Sequence, residues 1–268
     1  MNKKENKIIN GSLVAEKIFS VLESKISKFD FKPCLAVFNF RPDPVVDKYL
    51  KIKKRFGDRL GISIIIENYQ ELSFLEASNL VKDFSTRENI NGLVIQLPLP
   101  KDWPVEELLS LIPPEKDPDC LSGRSQLLPP VVKAVKEILE EYKIDIIGQK
   151  VVVVGRGRLV GRPVADYFKK MNCQVEMIGE KDNLVEKLKG ASLVVSGVGK
   201  KHIIKPEMIE AGVILIDAGL SEAEGSIFGD IDPACLEKAK LFSPAKNGLG
   251  PVVVACLFVN FVQLLENN

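Results

Sequence analysis

The 268-residue sequence predicts an α/β protein with two lobes, largely parallel sheets and a cleft between the lobes. Three observations support this fold class. Apolar runs rich in β-branched residues alternate with amphipathic helical patterns along the chain. A proline-rich segment over residues 101–130 interrupts the alternation and marks the crossing from one lobe to the other. Beyond it, a glycine-rich turn follows the unbroken valine run at 151–154.

The elements follow from the spacing of apolar residues. Strands are expected where short apolar runs are bounded by turn residues, over 34–40, 62–67, 92–96, 150–154, 174–178, 192–196 and 213–217. Helices are expected where apolar residues recur every three to four positions, over 14–26, 45–59, 74–84 and 131–142. The apolar stretch 252–265 predicts a helix that follows a turn at Gly250 and Pro251 and packs back on the first lobe.

Composition argues against several kinds of partner. The 37 Lys and Arg residues against 36 Asp and Glu give a formal net charge of +1, so we expect no nucleic-acid partner and no membrane association. The longest apolar run, 251–265, is shorter than a membrane span and is interrupted by Asn260 and Gln263. The Lys- and Asn-rich start of the chain is unlike a secretory signal, so we expect a cytoplasmic protein.

The numbers and spacing of cysteine and histidine residues limit which metal sites and catalytic schemes the chain can contain. The five cysteines are widely spaced without a Cys-x-x-Cys pair, which predicts reduced thiols rather than disulfides or a zinc site. His202 is the only histidine, so catalytic Ser-His-Asp or Cys-His schemes and a multi-histidine metal site are poorly supported. We therefore expect no metal, and we assign proton chemistry mainly to lysine, tyrosine and carboxylates.

The turn after the valine run has the spacing of a dinucleotide-binding loop. Gly155, Gly157 and Gly161 form a G-x-G-x-x-x-G pattern where a strand meets a helix. In such loops the first glycine permits a tight turn, the second lets the backbone approach a pyrophosphate, and the third allows close packing. Exposed N–H groups at the helix N-terminus bind the anion. The candidate cofactor-binding residues here are Gly155, Arg156, Gly157, Arg158, Val160, Gly161 and, after the strand at 192–196, Gly197.

Tyr49 and Lys53 are four residues apart in a predicted helix and therefore share one face. Taken alone, the pair fits a half-buried aromatic ring beside a solvated lysine equally well. Short-chain dehydrogenases also carry a Tyr-x-x-x-Lys pair, but theirs follows the glycine loop, whereas this pair precedes the loop by about a hundred residues. That class is disfavoured.

Two further strings change the interpretation of this pair. Residues 96–100 read QLPLP and follow a buried strand, and residues 116–120 read KDPDC in the proline-rich segment. Together with Tyr49 and Lys53, these strings resemble the bifunctional methylenetetrahydrofolate dehydrogenase/methenyltetrahydrofolate cyclohydrolase family. The resemblance runs nearly end to end, from KIING at 7–11 to GLGP at 248–251.

The resemblance implies two reactions of one-carbon metabolism. In the first, 5,10-methylenetetrahydrofolate is oxidised to the 5,10-methenyl form with NAD or NADP as hydride acceptor. In the second, water converts the methenyl form to 10-formyltetrahydrofolate. The resemblance also implies a homodimer and two domains: a folate-binding catalytic domain at 1–128, on which the helix at 251–268 packs back, and a Rossmann-like NAD(P)-binding domain at 129–250.

Roles for individual residues are carried over from the family by position. Lys53 is the expected proton carrier, and Gln96 is expected to hydrogen-bond its amine. Tyr49 would stack on the folate, Asp119 would bind the amino-pyrimidine edge of the pterin, and Asp117 would cap its turn. The expected substrate-binding set is Tyr49, Gln96, Leu97, Pro98, Asp119, Gly250 and Pro251.

The choice of dinucleotide depends on Glu180, which lies 25 residues after Gly155. An acidic side chain near this offset accepts hydrogen bonds from the adenosine ribose and repels a 2′-phosphate, which favours NAD. The neighbouring cations Arg156, Arg158 and Lys181 favour the alternative, NADP. A pair between Glu180 and Arg156 could also be an ordinary surface contact.

Departures from the family pattern leave other functions open. Cys120 stands where the family has glycine, residues 127–130 read LLPP in place of PCTP, and residues 246–251 keep only the last glycines and the proline. One alternative is a divergent folate- or nucleotide-binding protein with reduced or lost turnover. Another is a different two-lobed NAD(P) dehydrogenase, related to shikimate or amino-acid dehydrogenases, although such a relative gives no reason for the QLPLP string.

Overall fold

The computed structural model describes residues 7–42, 44–223 and 226–267. The chain divides into two compact units, and each is described by itself. The glycine-loop unit comprises the chain up to Glu16 together with Val131–Val253. The lysine unit comprises Lys17–Pro130 and Val254–Asn268.

This division differs from the predicted domains at the start of the chain. We assigned residues 1–128 to one domain, whereas residues up to Glu16 group with the glycine-loop unit. Backbone hydrogen bonds explain the difference, because the Ile9 N–H donates to the Phe242 carbonyl at 2.8 Å and the Gly11 N–H donates to the Asn247 carbonyl at 2.9 Å. Such pairings join segments far apart in sequence, which local periodicity does not report.

The lysine unit contains a three-stranded parallel sheet in the order β2-β1-β3. Its strands are β1 (Cys34–Asn39), β2 (Ser63–Asn68) and β3 (Gly92–Ile95). Every residue of β1 is buried, as expected for the middle strand of a parallel sheet. The helices that lie wholly or partly in this unit are α1 (Gly11–Ile26), α2 (Pro44–Arg59), α3 (Phe74–Thr86), α4 (Val105–Leu109) and α8 (Leu249–Asn267).

The glycine-loop unit contains a five-stranded parallel sheet in the order β10-β7-β6-β4-β5. Its strands are β4 (Lys150–Val154), β5 (Gln174–Ile178), β6 (Leu193–Ser196), β7 (Ile214–Asp217) and β10 (Leu241–Ser243). The remaining elements are the helices α5 (Pro130–Glu141), α6 (Gly161–Lys170) and α7 (Leu184–Leu188) and the hairpin strands β8 (Ser221–Ala223) and β9 (Ser226–Phe228). The predicted α/β class with parallel sheets is confirmed.

Both sheets have a topological switch point. The chain leaves β1 for β2 on one side and later returns to β3 on the other; it leaves β4 for β5 and returns to β6 in the same way. In open α/β sheets, ligands bind beyond the carboxyl ends of the two strands at such a point. The segments after β1 and β3, and those after β4 and β6, are therefore the places to examine for sites.

Short elements were missed by the sequence analysis. The structure adds α4, of five residues, and the three-residue strands β8, β9 and β10. These lengths hold at most about one helical turn or a single in-out alternation, too little for a periodic pattern. The segment 101–130 is also more regular than predicted, because it contains α4 and a 3₁₀ turn at Pro114–Lys116. Pro104 directly precedes α4, and Pro114 is the first residue of the 3₁₀ turn. Proline is tolerated at the start of a helix, because the first N–H groups there have no intrahelical partner.

Helix α8 begins earlier than predicted. It starts at Leu249, so Gly250 and Pro251 lie in its first turn rather than in a preceding turn. Proline is tolerated there because the first N–H groups of a helix have no intrahelical partner. Among the described residues α8 alone is long and apolar enough, by length and composition, to cross a membrane, but 67% of its apolar window is buried inside the protein. That burial is typical of a core helix.

Candidate active site

Lys53 is the centre of the site in the lysine unit. It lies on α2, is buried with 9% of its surface exposed, and donates from Nζ to Oε1 of Gln96 at 2.9 Å. Gln96 comes directly after β3, where its N–H donates to the Phe38 carbonyl and its side-chain amide donates to the Leu97 carbonyl at 3.0 Å. The predicted contact between lysine and glutamine is present, and the glutamine is itself held in place.

Tyr49 lies one turn before Lys53 on the same helix. Its ring is half-buried, and burial raises the pKa of its hydroxyl above the usual value. The hydroxyl therefore stays protonated at neutral pH. A half-buried aromatic ring, one turn from a buried amine, is suited to stack against a planar ligand.

Burial acts in opposite directions on the two charged groups of this site. Burial lowers the pKa of the Lys53 amine, and the negative charge of Asp119 partly opposes the shift. Burial raises the pKa of the Asp119 carboxyl, against the effect of the Lys53 charge, while Asp117 raises it further. A lysine whose neutral form is favoured in this way is better suited to accept and return a proton than an ordinary surface lysine.

The loop that carries Asp119 is anchored on both sides. The buried carboxylate of Asp117 accepts from the N–H of Ser122 at 2.8 Å and of Leu121 at 3.2 Å, and so caps the turn as predicted. From α8, the side-chain amide of Asn260 donates to the carbonyls of Pro118 and Leu128, both at 2.9 Å. These contacts hold the loop through side chains other than that of Asp119.

The departure at Cys120 has a structural consequence. This residue has φ +58°, a left-handed conformation in which glycine is common and other residues are infrequent. The glycine expected from the family is therefore the residue that this backbone favours. The cysteine adopts the same conformation at some cost in backbone strain.

The predicted substrate-binding residues do not all lie in one unit. Leu97 and Pro98 follow Gln96 in the lysine unit, joined by a cis peptide bond. Gly250 and Pro251 lie in the first turn of α8 and belong to the glycine-loop unit. Within the lysine unit the structure thus brings together Tyr49, Lys53, Gln96 and Asp119.

The three glycines after β4 serve different purposes. Gly155 has φ +108°, which only glycine adopts readily. A Cβ on Gly161 would lie 2.1 Å from the Gly155 carbonyl oxygen, so this glycine permits the closure of the loop on itself. A Cβ on Gly157 would meet none of the described atoms within 4 Å. The fold of the chain therefore explains the first and third glycines but not the second.

The open space at Gly157 fits the approach of an anion. Helix α6 begins at Gly161, and none of the described side chains caps its N-terminus at Val160. Free N–H groups at a helix start and an unobstructed backbone beside them are the features that bind a pyrophosphate. Directly after the neighbouring strand β6, Gly197 is required for close packing, because a Cβ there would lie 2.6 Å from the Cβ of Val160.

The charged residues near the end of β5 do not form the pair between Glu180 and Arg156 that the sequence left open. Arg156 pairs with Asp182, with Nη2 and Oδ2 3.0 Å apart, and the same oxygen accepts from the Gly179 N–H at 2.7 Å. Glu180 is 81% exposed and pairs with Lys200, not with Arg156. The short span from Gly179 to Asp182 explains this result, because it turns Asp182 back towards the loop and leaves Glu180 in solvent. Asp182 and Lys200 are residues that the sequence analysis did not select.

The described residues 7–42, 44–223 and 226–267 contain no cluster of three or more His, Cys, Asp or Glu side chains that could hold a metal ion. The two sites instead consist of a buried lysine with its polar neighbours and a glycine loop at a helix start. Fold and sites together define an α/β protein with a Rossmann-type nucleotide-binding unit and a second unit that carries a lysine-centred site.

Comparison with known proteins identifies the family. The catalytic domain of tetrahydrofolate dehydrogenase/cyclohydrolase matches residues 9–119, and the NAD(P)-binding domain of the same family matches residues 129–268. The chain belongs to this family. It is 32% identical to the bifunctional protein FolD of Methanosarcina barkeri over 282 aligned positions, covering 98% of each chain. It is 33% identical to the bifunctional protein FolD of Methanoculleus marisnigri, covering 94% of each.

Solved structures show the same fold over nearly the whole chain. The bifunctional methylenetetrahydrofolate dehydrogenase/cyclohydrolase of Campylobacter jejuni matches with a TM-score of 0.91 and 26% identity, covering 97% of this chain and 98% of that one. The corresponding bifunctional enzyme of Thermoplasma acidophilum matches with a TM-score of 0.88 and 27% identity, covering 98% of this chain and all of that one.

Proposed function

We propose that this protein oxidises 5,10-methylenetetrahydrofolate to the 5,10-methenyl form with NAD(P)⁺ and hydrolyses the methenyl form to 10-formyltetrahydrofolate. The observation that carries the proposal is the buried Lys53 amine, held at 2.9 Å by Gln96 on a strand end. Membership of the family supplies the reaction class, and the geometry supplies a group able to move protons.

In the dehydrogenase step the chain binds and orients. A bound oxidised nicotinamide supplies the hydride acceptor. The open backbone at Gly157 and the uncapped start of α6 hold the pyrophosphate, while Asp119 accepts hydrogen bonds from the amino-pyrimidine edge and Tyr49 stacks on the pterin. Alignment of the reacting carbons is the main requirement of a hydride transfer, so few catalytic side chains are needed.

In the cyclohydrolase step Lys53 moves a proton. The water oxygen forms a bond to the methenyl carbon, and the neutral Lys53 amine accepts the proton that the water releases. The carbon now carries a hydroxyl. As its bond to N5 breaks, N5 takes the proton back from the ammonium, the hydroxyl releases its own proton to water, and the resulting formyl group remains on N10. Gln96 accepts a hydrogen bond from the amine in both states and so keeps it directed at the reacting carbon.

For the coenzyme we propose NAD, with NADP as the alternative. Glu180 is exposed at the end of β5, where a carboxylate can accept from the ribose hydroxyls and repel a 2′-phosphate. The pairing of Arg156 supports this choice, because that cation is neutralised by Asp182, a carboxylate other than Glu180. Glu180→Ser should shift the ratio of kcat/KM values towards NADP. A parent enzyme that strongly prefers NADP, with no shift in the variant, would contradict the role of Glu180.

The direct test of the whole proposal is a spectrophotometric assay of the purified chain with methylenetetrahydrofolate and each dinucleotide. Reduced nicotinamide and methenyltetrahydrofolate are followed separately, and methenyl hydrolysis is measured without dinucleotide. We expect both activities. Folate and dinucleotide binding without turnover would instead support the alternative of a divergent binding protein. The homodimer remains a prediction from the family resemblance, and the cytoplasmic location remains a prediction from the Lys- and Asn-rich start of the sequence.

A further inference from the structure

The glycine-loop unit contains two buried carboxylates that the proposed mechanism does not use. Asp217 ends β7 and has 2% of its surface exposed, and Asp230 follows the hairpin with none exposed. Carboxylates are rarely buried so completely unless specific donors meet them. The partners of Asp230 indicate its purpose.

Both oxygens of Asp230 bind the end of β6 and the segment that follows it. Oδ2 accepts from the Ser196 hydroxyl and from the Val198 N–H, each at 2.7 Å. Oδ1 accepts from the Lys200 N–H at 2.8 Å. Three hydrogen bonds from alternate residues fix residues 196–200 against a single side chain that lies 30 to 34 positions away in sequence.

This segment borders the dinucleotide loop. A Cβ on Gly155 would lie 3.0 Å from the Gly197 carbonyl oxygen, and Gly197 packs directly on Val160. Lys200 pairs through its amine with Glu180, the residue expected to meet the adenosine ribose. A shift of residues 196–200 would therefore reach the glycine loop and the ribose-binding carboxylate together.

Asp230 is in turn held in one position. A Cβ on Gly219 would lie 2.1 Å from the Asp230 Cγ, so glycine is required there. The Asp230 N–H donates to Asp217 at 3.2 Å, and the following N–H, that of Ile231, donates to the same carboxylate at 2.9 Å. The chain thus anchors Asp230 from two sides, although it touches no predicted ligand-binding side chain itself.

We propose that Asp230 is a positioning residue of the dinucleotide site, which fixes the segment 196–200 so that Gly197 and Lys200 shape the surface where the dinucleotide binds. The proposal rests on the proposed function, since it assumes that the glycine loop binds NAD(P). The residues of the lysine unit that carry out hydrolysis have no part in it.

Asp230→Asn tests the proposal with almost no change in volume. An amide offers one acceptor oxygen and one donor group, so at least one of the three donors would face an N–H₂ group instead of an acceptor. A buried donor without an acceptor disfavours the parent conformation of residues 196–200 by about tenfold or more, and that conformation is the one proposed to bind the dinucleotide. We therefore expect the Kd for NAD and NADP, measured by calorimetric titration of the full chain, to rise by about tenfold or more.

Hydrolysis of methenyltetrahydrofolate without dinucleotide distinguishes positioning from general damage. We expect its kcat and KM to stay within about twofold of the parent values in Asp230→Asn, because that activity depends on Lys53. The matched control is Asp232→Asn, which removes a carboxylate two residues away that caps a 3₁₀ turn by accepting from the Ala234 N–H at 2.8 Å. This control should leave dinucleotide affinity unchanged.

A folded Asp230→Asn variant that binds dinucleotide as the parent does would overturn the proposal. An equal loss of both activities would also overturn it. If Asp230→Asn does not fold, Ser196→Ala is decisive: it removes one donor, and we expect dinucleotide affinity to fall severalfold with hydrolysis intact, whereas unchanged affinity rejects the proposal. A parent chain that binds no dinucleotide would refute the proposed function itself, a result distinguishable before any variant is made.

Discussion

The two units have the same arrangement at the switch points of their sheets but build their sites from different parts of the chain. Beside β1 and β3 the lysine unit places side chains, and the buried amine of Lys53 and the carboxyl of Asp119 both have shifted pKa values. Beyond β4 and β6 the glycine-loop unit presents mainly backbone, with its nearby ion pairs exposed. One site is organised for proton transfer and the other for binding an anion.

The difference teaches where sensitivity to substitution should lie. The buried amine of Lys53 has a specific chemical task in the proposed function, so its replacement should abolish one activity. A backbone site depends on shape, so added volume should weaken binding by degrees. Four tests probe this contrast, beginning with the largest expected effect.

Lys53→Met should abolish the cyclohydrolase activity while leaving measurable dehydrogenase activity. Loss of a positioned proton carrier costs about 10²- to 10⁴-fold in rate, whereas hydride transfer needs alignment. In the parent, hydrolysis should increase with pH as Lys53 loses its proton, with a midpoint below the usual lysine pKa because burial lowers the pKa of this amine. If the variant hydrolyses methenyltetrahydrofolate at the parent rate, Lys53 is not the proton carrier.

Asp119→Ala should raise the apparent KM for folate and lower both activities, by about tenfold to a few hundredfold, because the pterin donors would lose a buried acceptor. Dinucleotide affinity should not change. The measurement is a direct folate titration alongside a dinucleotide titration. Equal folate affinity in variant and parent would assign Asp119 to its turn alone, as Asp117 is assigned here by its hydrogen bonds.

These two side chains show what the sequence can predict. Lys53 and Gln96 are among the residues that resemble a family. The helix that carries Lys53 was placed to within a few residues because its apolar periodicity is long and regular, and the strand before Gln96 because its short apolar run is bounded by turn residues. The contact between the two residues followed from the same resemblance and is present at 2.9 Å. The roles of residues in such sequence motifs can therefore be predicted from the sequence alone.

Contacts between segments that are distant in sequence could not be predicted in this way. The partner of Arg156 is Asp182 rather than Glu180, a choice made by the turn at Gly179. Asp230 meets Ser196 across 34 residues, and no periodicity links them. The glycine pattern predicted a loop, but only the geometry separates glycines that the fold needs from the one that a ligand would need. Pairings that depend on tertiary packing leave no local signal.

Gly157→Ala and Gly161→Ala separate these two needs. Alanine at Gly161 would place its Cβ 2.1 Å from the Gly155 carbonyl oxygen, so this variant should lose thermal stability and dinucleotide binding together. Alanine at Gly157 meets no described atom within 4 Å, so this variant should melt as the parent does but bind dinucleotide about tenfold more weakly. Parent-like affinity in Gly157→Ala would mean that the pyrophosphate does not approach there.

The smallest effect is expected from Asp217→Asn, and it concerns stability rather than activity. Burial raises the pKa of Asp217 to about 7, despite the backbone N–H groups that donate to it. An unfolded aspartate has a pKa of about 3.9, so between these values the native state binds more protons and stability falls as the pH rises. The slope from one such group is at most about 1.4 kcal/mol per pH unit. The glycine-loop unit therefore also contains a buried group with a shifted pKa, as the lysine unit does at Lys53.

The amide introduced by Asp217→Asn cannot titrate, so the test compares the parent with this variant at several pH values. The amide leaves one backbone donor without a good acceptor, a defect that does not depend on pH. The melting temperature of the parent relative to the variant should therefore fall by a few degrees from pH 5 to pH 8. A pH-independent difference would show that Asp217 titrates normally, and the contrast between a charged site and a backbone site would then be sharper than proposed.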